Sequence, residues 1–200
     1  GGSGRDFAKA NRVEWVKAVR EHIMQHEQKY ANIVLLGHSM GALISLLLST
    51  EFSNTVKGVV AFATPLMIRL RVNTIKTSYA VAFGRKREED DRIKAAYELC
   101  SVDKSTLLTY LSGMPRYFDL FHLMRQTRTC LSKVTVPVLA IHAKEDEVAN
   151  IGSVKVLERS LQRFEKVILT ESGHFYITPS DMERIVEAFL EFLEKVKSKS

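Results

Sequence analysis

Apolar positions recur at two different spacings along the chain, and stretches of the two kinds alternate. Val13, Val16, Val19 and Ile23 follow a helical period with Arg and Glu on the opposite face, which predicts an amphipathic helix over about residues 9–29. Short runs of β-branched and other apolar residues follow, of the kind that a parallel sheet buries on both faces. These runs predict strands at 31–36, 56–63, 136–142 and 166–170.

Helices are predicted between these strands and at the end of the chain. The apolar stretch 40–48 is typical of a buried helix, and 153–162 is predicted to form another. In the last helix, Ser180 and Glu183 have the spacing of a capping box, which predicts that Ser180 is the N-cap. That helix has one apolar stripe, formed by Met182, Ile185, Val186, Phe189, Leu190, Leu193 and Val196.

Strands that alternate with helices predict an α/β fold with a mostly parallel sheet covered on both faces. Residues 65–133 have a helical pattern without strand-like runs, and the segment is too long for a simple crossover. We interpret 65–133 as a helical cap inserted into a core formed by 5–64 and 134–200. Residues 1–4, Gly-Gly-Ser-Gly, are interpreted as a linker outside the fold.

Composition narrows the class of protein. With 200 residues, 46% of them hydrophobic, the chain can bury a sizeable core and is unlike a disordered polymer. Its two cysteines are too few for a disulfide framework. The longest apolar stretch, 40–48, is far shorter than the ~20 residues of a bilayer-spanning helix, and the printed sequence opens without a signal-like segment. A reduced, cytoplasmic protein is therefore expected.

The net charge of +6 is concentrated in the predicted cap. Residues 65–133 hold 13 Lys or Arg against 7 Asp or Glu, and the rest of the chain is balanced. This excess is interpreted either as a solvated helical surface or as a weak contact with an anionic membrane surface. Nucleic acid is not favoured as a partner, because the basic run 85–87 leads directly into the acidic run 88–91.

One short motif carries candidate chemistry. Gly37-His38-Ser39-Met40-Gly41 matches G-x-S-x-G and lies between a predicted strand and a predicted helix. Such a turn lifts the serine hydroxyl clear of the sheet, and the glycines are expected to prevent collisions in it. The helix that begins there directs backbone N–H groups at a developing oxyanion.

A serine hydroxyl needs a base before it can act as a nucleophile. His174 follows the fourth predicted strand, and Asp146 follows the third. Because the carboxyl ends of parallel strands meet at one edge of the sheet, both side chains are expected near Ser39. Glu145 and Glu147 are rival acids, and Asp146 is preferred because its shorter side chain suits a buried turn.

The three motifs in this order resemble the α/β-hydrolases, in particular the carboxylesterase and monoacylglycerol-lipase-like group. The resemblance rests on residues 37–41, 142–148 and 172–174 and extends over about residues 10–196. It implies a serine ester hydrolase that acts through an acyl-enzyme on small to medium acyl esters, with monoacylglycerols among the candidates. The implied roles are Ser39 as nucleophile, His174 as base and Asp146 as its orienting acid, with the Met40 backbone N–H as one oxyanion donor. No metal or other cofactor is implied.

The sequence also departs from that group. Its members carry further strands before the first helix seen here, and a His-Gly segment that supplies the second oxyanion donor, whereas no His-Gly dipeptide occurs in this sequence. The resemblance therefore implies only part of the α/β-hydrolase fold. We expect the strand at 31–36 to form a sheet edge that is covered by an N-terminal fragment, by a second copy or by rearranged elements. Without the second donor, we also expect the chain alone to be weakly active or inactive.

Several readings stay open. One alternative is a catalytically weak fragment that assembles through its sheet edge, and another is a perhydrolase or acyltransferase with the same triad. His38 is expected to pack in the elbow, and His22, His26, His122 and His142 to be structural or surface residues. A cluster at helical spacing is interpreted as cap core or, alternatively, as lining for an acyl chain: Met114, Tyr117, Phe118, Phe121 and Met124.

Overall fold

The computed structural model describes residues 10–68 and 107–198, with the backbone alone in 107–114. Helices and strands alternate in it, and every strand lies within two residues of its predicted bounds. The elements are α1 (Arg12–Glu27), β1 (Ile33–His38), α2 (Met40–Ser49), β2 (Val56–Phe62), α3 (Leu107–Cys130), a 3-10 turn (Leu131–Lys133), β3 (Val138–Ala143), α4 (Gly152–Ser160), β4 (Phe164–Leu169) and α5 (Pro179–Lys197).

The four strands form one parallel sheet in the order β1-β2-β3-β4, so the predicted α/β class is confirmed. Each strand therefore pairs with the strand that follows it in the chain. In the register of the sheet, Leu36 pairs with Val60, and Val60 pairs in turn with Leu139. All four carboxyl ends lie at the same edge, where the loops after β1, β3 and β4 meet.

Alternate residues of the strands enter two separate cores. Val59 and Ala61 belong to a core packed against α1, α2, α3 and α4, whereas Val60 and Phe62 belong to a core packed against α5. This alternation follows from the pleat, because successive side chains of a strand point to opposite faces. The central strands β2 and β3 are thus covered on both faces, and they are apolar except at Lys57 and His142.

One expectation for the last helix was wrong. The helix begins at Pro179 with Thr178 as its N-cap, whose side chain accepts a hydrogen bond from the Asp181 N–H, so Ser180 is not the cap. Proline at the first helical position costs no hydrogen bond, which favours this earlier start. The apolar stripe is also wider than the buried face: Phe192 and Val196 are buried, but three of its members, Met182, Val186 and Leu190, are exposed.

The helix at the end of the predicted cap packs directly on the core. Leu123 of α3 is fully buried, and Thr127 Oγ1 donates a hydrogen bond of 3.3 Å to the Leu43 carbonyl of α2. An ion pair of 3.2 Å between Arg12 and Asp119 joins α1 to α3. Residues 69–106 of the predicted cap, which hold the basic run 85–87, lie outside the described residues.

In the described part of the chain, β1 pairs on one side only, with β2. Leu36, on the face of β1 that α5 would cover, is 64% exposed, and α5 packs instead against β2, β3 and β4. None of the helices in 10–68 and 107–198 has the length and hydropathy needed to cross a membrane.

Candidate active site

Ser39 occupies a strained turn between β1 and α2. Its φ of 53° and ψ of −117° put a non-glycine residue in the positive-φ region, which costs on the order of 1–3 kcal/mol. The neighbouring strand holds the turn, because the Ser39 N–H donates a 2.9 Å hydrogen bond to the Phe62 carbonyl at the end of β2. The strand-to-helix geometry therefore lifts the Ser39 side chain above the carboxyl edge of the sheet.

The two glycines of the turn have different steric environments. A Cβ on Gly37 would lie 2.4 Å from the carbonyl carbon of Gly41, a distance that no side chain can occupy. A Cβ on Gly41 would meet nothing within 4 Å. The close approach of strand and helix thus requires glycine at position 37 and leaves space at position 41.

Three side chains from separate loops meet above Ser39. His174 Nε2 lies 3.1 Å from Ser39 Oγ, and His174 Nδ1 lies 2.9 and 2.8 Å from the two carboxylate oxygens of Asp146. Because a carboxylate only accepts hydrogen bonds, Nδ1 carries the proton and Nε2 is free to accept from the serine hydroxyl. The His174 and Asp146 side chains are almost fully buried, whereas Ser39 remains partly accessible.

The loop after β3 is folded around the Asp146 carboxylate. Asp146 Oδ1 accepts hydrogen bonds from the backbone N–H groups of Val148 at 2.8 Å and Ala149 at 2.6 Å. His142 Nε2 donates a 3.1 Å hydrogen bond to the Ala149 carbonyl, which fixes the far end of the loop. Burial lowers the pKa of His142, so this histidine is held in its neutral form.

A second buried carboxylate organises the loop after β4. Asp181 Oδ2, in the first turn of α5, accepts from the backbone N–H groups of Glu171 and Ser172 and from the Ser172 hydroxyl at 2.8 Å. Burial alone would raise the pKa of Asp181, but these hydrogen bonds and that from Arg184 outweigh it and lower the pKa. The loop that carries His174 is therefore anchored to the N-terminus of the last helix.

Every polar group of His174 has a partner. In addition to the two ring contacts, its backbone N–H donates to Glu147 Oε2 at 2.8 Å, and its carbonyl accepts from His38 Nε2 at 3.0 Å. Partial burial and the neighbouring His174 lower the pKa of His38. Phe175 stands edge-on to the His174 ring, with ring centroids 4.6 Å apart.

Sequence reasoning missed three of these contacts. The sequence predicts only packing for His38 and only a rival-acid role for Glu147, and it assigns no role to Asp181. Of the three neighbouring acids in the β3 loop, Asp146 contacts the ring, Glu147 contacts the His174 backbone, and the Glu145 side chain is exposed. Gly173, next to His174, is the one signal in the sequence that pointed to the Glu147 contact. A glycine in such a place indicates that another group approaches the backbone closely.

The amino end of α2 supplies hydrogen-bond donors beside Ser39. The N–H groups of Ala42 and Leu43 turn back to the Ser39 carbonyl at 3.0 and 3.4 Å. Met40 and Gly41 precede them in the first turn, where N–H groups have no acceptor within the helix. This end of the helix also carries a partial positive charge, which attracts negative charge that develops next to Ser39.

The predicted acyl-chain residues do not lie in one environment. Phe118 and Phe121 of α3 are 70% and 49% exposed, whereas Met124 is buried in the core beneath α2. The side chain of Met114 lies outside the described residues. Within residues 10–68 and 107–198, no group of three or more His, Cys, Asp or Glu side chains is arranged to hold a metal ion.

A serine on a strained strand-to-helix turn, at the carboxyl edge of a parallel sheet, is a feature of the α/β-hydrolase fold. Two solved structures share this fold with the chain. One, from work on LipS and LipT, two metagenome-derived lipolytic enzymes, has a TM-score of 0.70 at 18% identity and covers 96% of this chain and 77% of that one. The other, a monoacylglycerol lipase of Paleococcus ferrophilus, has a TM-score of 0.68 at 18% identity and covers 94% of this chain and 76% of that one.

The sequence assigns the family. Residues 8–176 match the family described as serine aminopeptidase, S33, and the chain belongs to that family of hydrolases. Among curated proteins it is similar to a thermostable monoacylglycerol lipase of Bacillus sp. (strain H-257), at 24% identity over 201 residues. That match covers 95% of this chain and 74% of the lipase. The chain is thus a hydrolase, as the resemblance implied.

Proposed function

We propose that the protein is a serine ester hydrolase in which Ser39, His174 and Asp146 act together. The observation that carries the proposal is the 3.1 Å separation of Ser39 Oγ from His174 Nε2, which lies within the range of a hydrogen bond that would transfer the hydroxyl proton. The contact of Asp146 with Nδ1 supports it, because this contact leaves Nε2 unprotonated.

The reaction follows from these contacts. Ser39 Oγ attacks the acyl carbonyl while its proton passes to His174 Nε2, and the backbone N–H of Met40 donates to the resulting oxyanion. His174 then protonates the leaving alcohol, which leaves Ser39 acylated. In the second half, His174 takes a proton from water, the water oxygen attacks the acyl carbon, and the acid is released as the proton returns to Ser39. Asp146 stabilises the imidazolium in both halves.

We propose small to medium acyl esters as substrates, with monoacylglycerols among them. The similarity to a monoacylglycerol lipase supports this substrate class.

We also propose that residues 65–133 form a cap over the site, and that activity of the chain alone is weak. The last point rests on the oxyanion hole, since loss of one of two donors costs about 10²–10³ in turnover.

A fluorophosphonate probe with p-nitrophenyl esters of increasing acyl length tests the proposal. We expect labelling at Ser39, and we expect Ser39→Ala to abolish labelling and to reduce turnover by up to ~10⁶. Absence of labelling in a chain with an intact circular dichroism spectrum would contradict the proposal and favour an assembly fragment. Product formation with hydrogen peroxide or an added alcohol as acceptor would instead reveal a perhydrolase or an acyltransferase.

Amide hydrolysis is a second candidate, favoured by the description of the family as serine aminopeptidases. The same nucleophile and base serve either bond, so the distinction lies in the leaving group. Aminoacyl p-nitroanilides and p-nitrophenyl esters, assayed side by side at equal concentration, separate the two functions by their kcat/KM values.

A further inference from the structure

Two neighbouring acids of the β3 loop contact His174 at two different places. Asp146 contacts the ring at Nδ1, and Glu147 accepts the His174 backbone N–H at 2.8 Å. The first contact restrains the orientation of the ring. The second restrains the main chain from which the ring projects, so together they leave His174 little freedom to pivot.

The packing next to His174 is built around the Glu147 carboxylate. A Cβ on Gly173 would lie 2.6 Å from Glu147 Oε1 and 2.9 Å from Oε2. The φ of Gly173 lies outside the left-handed region, so its backbone conformation does not require glycine. A side chain at position 173 would therefore fit only if the Glu147 carboxylate moved away from the place it occupies.

We infer that Glu147 is a positioning residue for His174, and that Gly173 serves the same contact by making room for it. The inference rests on the proposed function, because it concerns the placement of the proposed base. The Glu147–His174 bond links the acid loop to the base loop and thereby sets the distance from Nε2 to Ser39 Oγ. A misplacement of about 1 Å between reacting groups can cost about 10²-fold in rate, so this bond is expected to act on kcat.

Four variants test the inference: Glu147→Ala, Glu147→Gln, Gly173→Ala and the double variant Glu147→Ala/Gly173→Ala. Each is measured for kcat and KM with a p-nitrophenyl ester and for its rate of labelling by a fluorophosphonate. Glu145→Gln, at the exposed neighbour of the same loop, is the matched control for loss of a nearby charge.

We expect Glu147→Ala to lower kcat and the labelling rate by about 10- to 100-fold with little change in KM. Glu147→Gln keeps an oxygen that accepts the His174 N–H, and is expected to stay near the wild type, as is Glu145→Gln. Gly173→Ala displaces the carboxylate and is expected to resemble Glu147→Ala. Because both substitutions break one contact, the double variant should be no slower than either single variant.

A readout that does not depend on turnover separates this inference from the proposed function. We propose to follow the Nδ1 proton of His174, bonded to Asp146, by ¹H NMR. Its resonance is expected to persist in Glu147→Gln and to broaden in Glu147→Ala. Wild-type kinetics in Glu147→Ala, multiplied losses in the double variant, or an equally sharp resonance in Glu147→Ala would overturn the inference. So would absence of the resonance from the wild type. If Ser39 is not labelled at all, the proposed function fails and the resonance alone decides the positioning role.

Discussion

His38 Nε2 donates a 3.0 Å hydrogen bond to the backbone carbonyl of His174, 136 positions further along the chain. His38 directly precedes Ser39, so this bond ties the turn of the proposed nucleophile to the loop of the proposed base. The two rings also lie close, with centroids 4.9 Å apart. The relative position of Ser39 and His174 is therefore determined by backbone contacts as well as by the contact between their side chains.

The two glycines of the elbow are expected to respond differently to the same substitution. Gly37→Ala places a Cβ 2.4 Å from the Gly41 backbone and should unfold the turn, with loss of soluble protein or a large fall in the melting temperature. Gly41→Ala meets open space and should fold with a melting temperature near that of the wild type. Equal melting temperatures for the two variants would contradict the steric argument.

Of the acids in the β3 loop, Asp146 is expected to matter most for turnover. Asp146→Asn keeps the shape of the side chain but no longer selects the Nδ1 proton of His174, which in comparable triads lowers kcat by about 10⁴. Glu145→Gln, one position earlier and exposed, is the matched control and should keep wild-type kcat. A greater loss in Glu145→Gln than in Asp146→Asn would show that the orienting acid has been wrongly assigned.

Stability is expected to fall as the solution becomes mildly acidic. Burial lowers the pKa of His142 below the ~6.5 of an unfolded chain, so below that pH the unfolded state binds a proton that the folded state does not. The free energy of unfolding should therefore decrease from pH 7.5 to 5.5, as measured by urea titration. Replacing His142 with Gln should flatten this dependence, whereas His22→Gln, at an exposed position, should leave it unchanged. Identical pH dependence in the two variants would show that His142 is not responsible for the loss of stability in mild acid.

The outer edge of β1 is expected to be covered in solution. An unpaired strand edge favours association with another strand, and Leu36 on the adjoining face of β1 is 64% exposed, which adds an apolar surface beside that edge. Sedimentation velocity over a range of concentrations should show self-association of the chain, and Leu36→Lys should weaken it. Met24→Lys, on an exposed position of α1, is the control. A wild-type chain that sediments as a monomer at every concentration, with this edge bare, would contradict the expectation.

The sheet could be predicted from the sequence because its central strands, β2 and β3, are buried on both faces. Residues such as Val59 and Val60 point to opposite cores, so both must be apolar, and the resulting runs are visible without a structure. The last helix was less predictable. Its apolar stripe includes Met182 and Val186, which are exposed. Hydrophobicity alone does not reveal how much of an apolar helix face the sheet covers.

The members of the site were predictable in type and order, whereas their supports were not. Ser39, Asp146 and His174 follow strand ends, and strand ends of a parallel sheet meet at one edge. The bonds of Glu147 and His38 to the main chain of His174 depend on the path of three loops, which leaves no periodic pattern in the sequence. The role of Asp181 could not be predicted either. Many helices carry a carboxylate in their first turn, and only the contacts with Ser172 distinguish this one.

The in-order arrangement of the strands has a consequence for how related enzymes can diverge. Ser39 follows the outermost strand of the described sheet, while Asp146 and His174 follow strands that lie further inside it or at the opposite margin. A strand or a partner surface that packs beside β1 would lie next to Ser39, and it would leave the order and spacing of β1 to β4 unchanged. Such an arrangement would allow the structure beside the proposed nucleophile to vary while the spacing of the three proposed catalytic residues stays the same.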